Sequence, residues 1–210
     1  IDHPRLAAEM LLAHVLKVKR LTLYTESDRP ASEAERTVFR GLVQRAARHE
    51  PVDYLVGHTP FFTMELIVTS DVLIPRPSTE TLVEHVLQRS RATAGSLTIA
   101  DVCTGSGAIA VAVAKHLAEC RIVATDISVP ALDVARRNAE KQGVTPRIDF
   151  RAGDLCTPLG EERFDYVLCN PPYIDDAAWE AVPTNVKAYE PPTALRGGPD
   201  GLQYVRPVVH

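Results

Sequence analysis

Apolar residues recur at helical spacing in two segments near the start of the chain. Over residues 2–18, "DHPRLAAEMLLAHVLKV", they fall on one face of a predicted helix. A second apolar stripe over 32–49 follows "SEAE", a capping-box pattern in which Ser32 caps the helix and Glu35 reaches back to it. We therefore predict a small N-terminal helical domain over residues 1–52, with a role in substrate binding considered below.

The apolar period then shortens, and strands begin to alternate with helices. Period-two positions within 59–75 predict a short β-hairpin, which we treat as a linker over residues 53–74. The segments that follow are predicted helices at 75–90, 108–118 and 130–142, and predicted strands at 97–102, 121–126, 147–154 and 164–170. This alternation is typical of a parallel sheet covered by helices. We predict an α/β domain over residues 75–210.

A glycine-rich loop follows the first of these strands. In "CTGSGAIAVAVA", Gly105 and Gly107 stand where the strand turns into a helix, and glycine there lets a ligand approach the backbone closely. The next strand ends in Asp126, whose carboxylate can accept hydrogen bonds from both hydroxyls of a ribose. Since ligands of open α/β sheets bind at the carboxyl ends of the strands, the pair predicts a site for an adenosine-containing cofactor.

Three interpretations of this loop stay open at this point. "GSGAIA" fits the loose dinucleotide pattern G-x-G-x-x-A, the shorter glycine motif of S-adenosylmethionine sites, or a plain tight turn. Asp101, two residues before the loop, favours S-adenosylmethionine, because an acid there can orient the loop and face the cationic methionine end. Asp154, in the "GD" that ends the third strand, is either a contact to the adenine or a turn residue.

The last predicted strand ends in "NPPY", which stops the sheet ladder abruptly. We expect this strand beside the first one, so that Asn170 points over the reactive end of the cofactor. The conjugated lone pair of a planar NH2 group is a weak nucleophile, and two hydrogen-bond acceptors can turn it toward a methyl group. The Asn170 side-chain oxygen and the Pro171 carbonyl, held in direction by Pro172, supply these acceptors. Tyr173 offers a flat face for stacking.

This interpretation makes Asn170, Pro171 and Tyr173 the predicted catalytic residues, with in-line positioning in place of a strong base. A nucleic-acid methyltransferase acting on adenine N6 or guanine N2 would use the same residues, with a base flipped onto Tyr173. It would also need a recognition domain or a basic face. A dinucleotide enzyme would leave "NPPY" without a role, and an isolated "NPPY" could be only a proline-rich turn.

Composition narrows these classes further. The 210 residues carry a net charge of −4, which argues against broad nucleic-acid binding. The sequence contains no run of about 18 apolar residues, so we predict no membrane-spanning segment. The four cysteines lack pairing or zinc spacing, so we expect free thiols, no metal, and a reducing cytoplasm. We expect a monomer.

The chain resembles the bacterial release factor glutamine methyltransferases, also called the HemK or PrmC family. The resemblance covers essentially the whole chain and includes "VLIPRPSTETLVE", "DVCTGSGAIAVAVA", "ATDIS", "NPPYI" and "YEPPTALRGGPDGL". "NPPY" alone is shared with adenine-N6 DNA methyltransferases and some RNA enzymes, and the first and last stretches narrow the choice to this family. The family methylates N5 of the glutamine in the Gly-Gly-Gln loop of class 1 peptide-chain release factors, using S-adenosylmethionine.

The resemblance implies a Rossmann-like class I S-adenosylmethionine-dependent methyltransferase sheet, with the helical domain helping to hold the release factor. It implies a cofactor site and a substrate site. The cofactor site comprises Asp101, Cys103, Thr104, Gly105, Ser106, Gly107, Asp126, Asp154, Leu155 and Asn170. The substrate site comprises Asn170, Pro171, Pro172, Tyr173 and Arg76.

The chain departs from the family pattern at three places. Cys103 stands where the family usually has Gly, and Ser78 replaces the usual Glu of "PRPETE". The family sheet has seven strands and a final antiparallel hairpin, whereas four sheet strands are evident here. We therefore expect the C-terminal strands to be missing from this sequence.

Overall fold

The computed structural model describes residues 3–26, 28–90 and 95–209. The helices in these ranges are α1 Pro4–Leu16, α2 Thr22–Thr25, α3 Glu33–Ala47, α4 Val52–Val56, α5 Glu80–Ser90, α6 Ala108–His116, α7 Val129–Lys141, α8 Asp176–Trp179, α9 Thr184–Tyr189 and α10 Val205–Val209. The strands are β1 His58–Phe61, β2 Met64–Ile67, β3 Leu97–Val102, β4 Cys120–Asp126, β5 Ile148–Ala152, β6 Tyr166–Cys169, β7 Ile174–Asp175 and β8 Arg196–Gly198.

Four parallel strands form the central sheet of the described residues, in the order β5-β4-β3-β6. Ile99 of β3 lies opposite Ile122 of β4 on one side and Tyr166 of β6 on the other. The two middle strands are buried almost throughout, which is typical of a sheet covered on both faces. The predicted α/β class is therefore confirmed, as is the placement of the strand that ends in "NPPY" beside the first strand.

A buried asparagine fixes the hairpin to the sheet domain. β1 and β2 pair in antiparallel register, as the alternating apolar positions predict. Asn138 of α7 is fully buried and accepts a hydrogen bond from the Ile67 N–H at 2.6 Å. Its side-chain amide donates to the Ile67 carbonyl and, at 2.9 Å, to the Ser106 carbonyl. One side chain thereby links the last residue of the hairpin to the glycine-rich loop.

The contacts divide the chain into two units, the first of which is mostly N-terminal. This unit holds the described residues of 1–57 together with Pro183–Tyr189, and its core is built around Leu11, Ala46 and Leu55. α3 begins with the predicted capping box, in which Ser32 and Glu35 exchange hydrogen bonds. The Tyr189 hydroxyl of α9 donates to the Arg48 carbonyl at 3.0 Å. The sequence pattern predicts neither α4 nor α9.

The second unit holds the described residues of His58–Val182 and Glu190–His210. The division into 1–52, 53–74 and 75–210 stays a prediction. The segment 75–90, which the sequence predicts to become helical after a rigid Pro-Arg-Pro, forms a 3₁₀ turn at Pro77–Thr79 and continues as α5 from Glu80. Among the described helices, none combines the length and the apolar character that crossing a bilayer requires.

Candidate active site

The glycine-rich loop turns sharply at the carboxyl end of β3. Gly105 has φ of +54° and Gly107 has φ of +78°, a backbone region that favours glycine. A Cβ on Gly107 would stand 3.0 Å from the Ala135 side chain of α7, so this position also lets two helices pack closely. The Thr104 N–H donates to the Thr125 carbonyl of β4 at 2.9 Å and fixes the loop to the neighbouring strand.

Asp126 holds the other side of the loop. One carboxylate oxygen accepts the Gly105 N–H at 2.8 Å, and the other accepts the Ser128 N–H at 2.9 Å. Burial raises the pKa of Asp126 above its ordinary value, while these two hydrogen bonds oppose the rise. Each oxygen keeps acceptor capacity for a further donor such as a ribose hydroxyl.

Asp101 lies beneath the loop and is fully buried. Its Oδ2 accepts the Thr104 hydroxyl at 2.6 Å and the Ala110 N–H at 3.0 Å, whereas Oδ1 has no hydrogen-bond partner among the described residues. Burial raises the pKa of Asp101 to about 7, and the nearby charge of Asp126 adds to the rise. This carboxyl therefore supports the loop from below.

The loop, Asp126 and the end of β6 open onto one cavity of about 1100 Å³, its open mouth included. The predicted site residues that line it are Arg76, Cys103, Thr104, Gly105, Ser106, Asp126, Asp154, Leu155, Asn170 and Pro172. The predicted residues outside the lining are Asp101, Gly107, Pro171 and Tyr173. The Tyr173 side chain is 61% exposed. The structure thus brings most of the predicted residues together and leaves the Tyr173 ring facing solvent.

Asn170 follows β6 directly, and its side chain is oriented by a residue that the sequence analysis missed. The Asn170 Nδ2 group donates to the Thr79 Oγ1 atom at 3.3 Å. Thr79 is buried and also lines the cavity. With the amide nitrogen held in this way, Asn170 Oδ1 remains as the acceptor of the side chain.

Arg76, which lines the same cavity, pairs with a buried carboxylate. Its guanidinium donates to Glu190 at 2.5 Å, and Glu190 also accepts the Ile74 N–H at 3.2 Å. The Glu190 side chain is 1% exposed, so the pair lies away from solvent on the glutamate side. It joins the two stretches "LIPRP" and "YEPP", and both of them contribute residues to the cavity wall.

Three thiols gather at the floor of the site. Cys103, Cys156 and Cys169 pack in one apolar cluster with Ala100 and Val102. A hydrogen bond with Cys103, together with burial, raises the pKa of Cys169, and burial raises the pKa of Cys156. Cys103 itself has φ of +61°, the left-handed region in which the family's usual glycine would be unstrained.

Sequence reasoning missed Thr79, Asn138 and Glu190, although the last two leave some signal. Asn138 is a polar residue on the otherwise apolar stripe of α7, which is typical of a buried structural hydrogen bond. Glu190 stands directly before two prolines in a stretch that the resemblance singled out. Thr79 carries no local signal, because its partner lies 91 residues away in the chain.

Comparisons with known families match both parts of the chain. A model described as "PrmC N-terminal domain" matches residues 1–57, and one described as "Methyltransferase small domain" matches residues 76–187. The second model contains the loop, Asp126 and Asn170.

Curated relatives match over nearly the whole chain. A protein of Geobacter sulfurreducens named "Release factor glutamine methyltransferase" is 42% identical over 209 residues, covering 100% of this chain and 72% of the relative. A protein of Xylella fastidiosa strain 9a5c with the same name is 44% identical over 202 residues, covering 96% and 72%. Among solved structures, the hMettl16 catalytic domain in complex with MAT2A 3'UTR hairpin 1 has a TM-score of 0.52 at 19% identity. That match covers 69% of this chain and 54% of the other, and it shows a shared fold.

Proposed function

Because the chain belongs to the family of release factor glutamine methyltransferases, we propose that it transfers a methyl group from S-adenosylmethionine to a glutamine of a peptide-chain release factor. The observation that carries the proposal is one cavity lined by two sets of residues. The first set is the glycine-rich loop with Asp126, which suits a nucleoside, and we call it the cofactor end. The second set is Asn170 with its partner Thr79, together with Arg76, which suits an amide, and we call it the substrate end.

The cofactor end fits S-adenosylmethionine, which supplies a methyl group activated on a sulfonium. Asp126 is suited to the ribose hydroxyls, because both of its oxygens keep acceptor capacity. Asp154 and Leu155 line the wall suited to the adenine. Asp101, buried under the loop with one oxygen unpartnered, favours a cation above it. Apart from its chain neighbours, no atom of the described residues lies within 4 Å of the position that a Cβ on Gly105 would take, so the cofactor can approach the backbone closely there.

The substrate end is suited to a primary amide. Asn170 Oδ1 accepts one N–H of the glutamine amide, since Nδ2 is committed to Thr79. The Pro171 carbonyl accepts the second N–H, and the ring of Pro172 limits its direction. With both N–H bonds held, the nitrogen lone pair faces the methyl group. The family resemblance makes this nitrogen N5 of the glutamine in the Gly-Gly-Gln loop of a class 1 release factor.

Tyr173 and Arg76 complete the proposed substrate site. The Tyr173 ring is exposed beside Pro172 and stacks on the planar amide when the release factor binds. Arg76 holds the wall of the site through Glu190 and keeps its remaining N–H groups for the substrate backbone. We propose that the enzyme acts in the cytoplasm, since its substrate acts in translation. We also propose that it is a monomer without stable nucleic-acid binding.

The experiment that tests this function is methyl transfer from labelled S-adenosylmethionine to a purified class 1 release factor. We expect the wild-type release factor to be labelled and a release factor with the Gly-Gly-Gln glutamine replaced to stay unlabelled. Label that persists on the replaced protein would overturn the glutamine assignment. Transfer to adenine or guanine amino groups of DNA or RNA at a comparable rate would favour the nucleic-acid alternative, which the names of the relatives do not favour.

A pair of variants tests the role of Asn170. We expect Asn170→Ala to lower kcat by about 100-fold or more, the usual effect of removing one hydrogen-bonding group at a reacting centre. Asp133→Asn is the matched control, because Asp133 is exposed on α7 and pairs with Arg136 away from the cavity. Turnover of Asn170→Ala near that of the control would remove Asn170 from the proposed mechanism.

A further inference from the structure

A second glycine-rich segment, Arg196–Gly201, lies directly against the backbone of Tyr173. It begins with β8, which pairs in parallel with β7 just after "NPPY". The Ile174 N–H donates to the Leu195 carbonyl at 2.9 Å. The backbone that leaves "NPPY" therefore runs along this segment, which we call the glycine clamp.

Two glycines of the clamp leave no room for a side chain. A Cβ on Gly197 would stand 2.7 Å from both Tyr173 Cα and the Gly201 carbonyl oxygen, and a Cβ on Gly201 would stand 2.5 Å from the Tyr173 carbonyl oxygen. Real Cβ atoms essentially never come closer than 3.0 Å to another heavy atom. These obstacles are backbone atoms, which cannot rotate away as a side chain can. A larger residue at Gly201 must displace Tyr173, and one at Gly197 must displace Tyr173 or the Gly201 carbonyl that contacts it.

The clamp also holds its own shape. The Gln203 N–H donates to the Gly197 carbonyl at 3.0 Å, and the Gly201 N–H donates to the Gly198 carbonyl at 3.3 Å. Asp200 pairs with Arg206 of α10 at 2.5 Å. The segment is thus tied at both ends and presents a fixed surface to "NPPY".

We propose that Gly197 and Gly201 are positioning residues for methyl transfer, an inference that rests on the proposed function. Neither lines the cavity, so they act through Tyr173. By fixing its main chain, they set the Tyr173 ring and the direction of the Pro171 carbonyl two residues earlier. A displacement of about 1 Å at a reacting centre lowers the rate by about 100-fold.

Alanine variants test the proposal in the full chain, with the release factor as substrate. We expect Gly197→Ala and Gly201→Ala to lower kcat by about 100-fold. We expect Kd for S-adenosylhomocysteine to change less than about threefold, because the loop and Asp126 proposed to bind the cofactor line the cavity and neither clamp glycine does. A general loss of folding would weaken binding and turnover together, so this split separates positioning from stability.

A matched control separates the contact from backbone strain. Gly143 lies outside the clamp, has φ of +70° and has open space around its Cβ position. Gly143→Ala therefore carries the left-handed strain of Gly201→Ala without its contact to Tyr173. We expect it to keep kcat within about threefold of wild type.

Each outcome decides between the explanations. Wild-type turnover in Gly197→Ala and Gly201→Ala overturns the proposal, as does an equal loss of turnover in the Gly143→Ala control or a parallel loss of cofactor binding. If neither clamp variant folds, hydrogen exchange in the wild type decides. The backbone amides of residues 171–176 and 195–203 should then exchange at similar rates. Exchange that is tenfold faster in 195–203 than in 171–176 overturns the proposal. Failure of wild-type enzyme to label the glutamine would instead overturn the proposed function.

Discussion

Replacement of Asp101 by asparagine tests how the cofactor loop is supported. The carboxyl is fully buried beneath the loop, and burial raises its pKa from 3.8 to about 7. Asparagine keeps one oxygen for the Thr104 hydroxyl and the Ala110 N–H, which Asp101 accepts at 2.6 and 3.0 Å. It cannot ionise, so the substitution removes the charge with little change in shape.

The expected effect depends on pH, and its sign follows from proton binding. Between pH 3.8 and about 7 the folded wild type keeps the Asp101 proton while the unfolded chain has lost it. Wild-type stability therefore falls as pH rises through this window, by about 4 kcal/mol in all for a pKa difference of about 3. The variant lacks this loss. Its stability relative to wild type should rise by about 3 kcal/mol between pH 5 and pH 8.

Urea unfolding followed by circular dichroism at pH 5 and pH 8 measures this difference in the cofactor-free protein. Asp165→Asn is the control. Asp165 is exposed, and hydrogen bonds from Thr98 lower its pKa, so its contribution is present at both pH values. The free energy of unfolding of the control should lie below that of wild type by the same amount at pH 5 and pH 8.

Cofactor binding gives a second measurement on the same variant. S-adenosylmethionine carries a sulfonium charge that S-adenosylhomocysteine lacks, and a buried carboxylate favours that charge. Asp101→Asn should lose more affinity for the first than for the second, by about threefold or more at pH 8. An unchanged stability difference between pH 5 and pH 8 would refute the raised pKa of Asp101. An equal effect on both ligands would show that the Asp101 charge does not act on the sulfonium.

Three other substitutions test the supports around the site by the free energy of unfolding. Gly107→Ala should cost about 2 kcal/mol, from left-handed strain and the 3.0 Å approach to α7, measured by urea unfolding. Asn138→Ala should cost about 4 kcal/mol, because it removes the side-chain partner of the buried Ser106 carbonyl and of the part-buried N–H and carbonyl of Ile67. If Asn138→Ala unfolds at the same temperature as wild type, this predicted loss of stability is wrong. Arg76→Ala should cost about 3–5 kcal/mol by leaving the Glu190 charge buried alone, and Arg76→Met with Glu190→Leu should recover most of that loss.

The spacing of apolar residues was sufficient to predict the secondary structure where strands and helices alternate. Strands and helices from 97 to 170 alternate with clear apolar periods, so their order and the parallel sheet follow from the sequence. The strand that ends in "NPPY" was expected beside the first strand, and the register of Ile99 with Tyr166 bears it out. Asp126 was identified from its place at the end of β4.

The same spacing could not predict hydrogen bonds between residues that lie far apart in the chain. Asn138 and Glu190 bond to residues 71 and 116 positions away, and no local period records such pairs. The sequence predicted that Asp101 orients the loop and faces the cationic end of the cofactor, but not its bonds to the Thr104 hydroxyl and the Ala110 N–H. Its contact with the cofactor stays a prediction. Residues 171–209 contain short elements between prolines and glycines, and the pairing of β7 with β8 depends on backbone proximity rather than on apolar spacing.

The composition of the first unit has a consequence for the order of events during protein synthesis. α9, at Thr184–Tyr189, belongs with the N-terminal helices although it follows β6 and "NPPY" in the chain. A ribosome therefore releases the first 57 residues long before the helix that completes their unit. The central strands have emerged by then, so the N-terminal unit is finished after them. A truncated protein that ends at residue 57 lacks α9, and one that begins at residue 58 carries α9 without its packing partners.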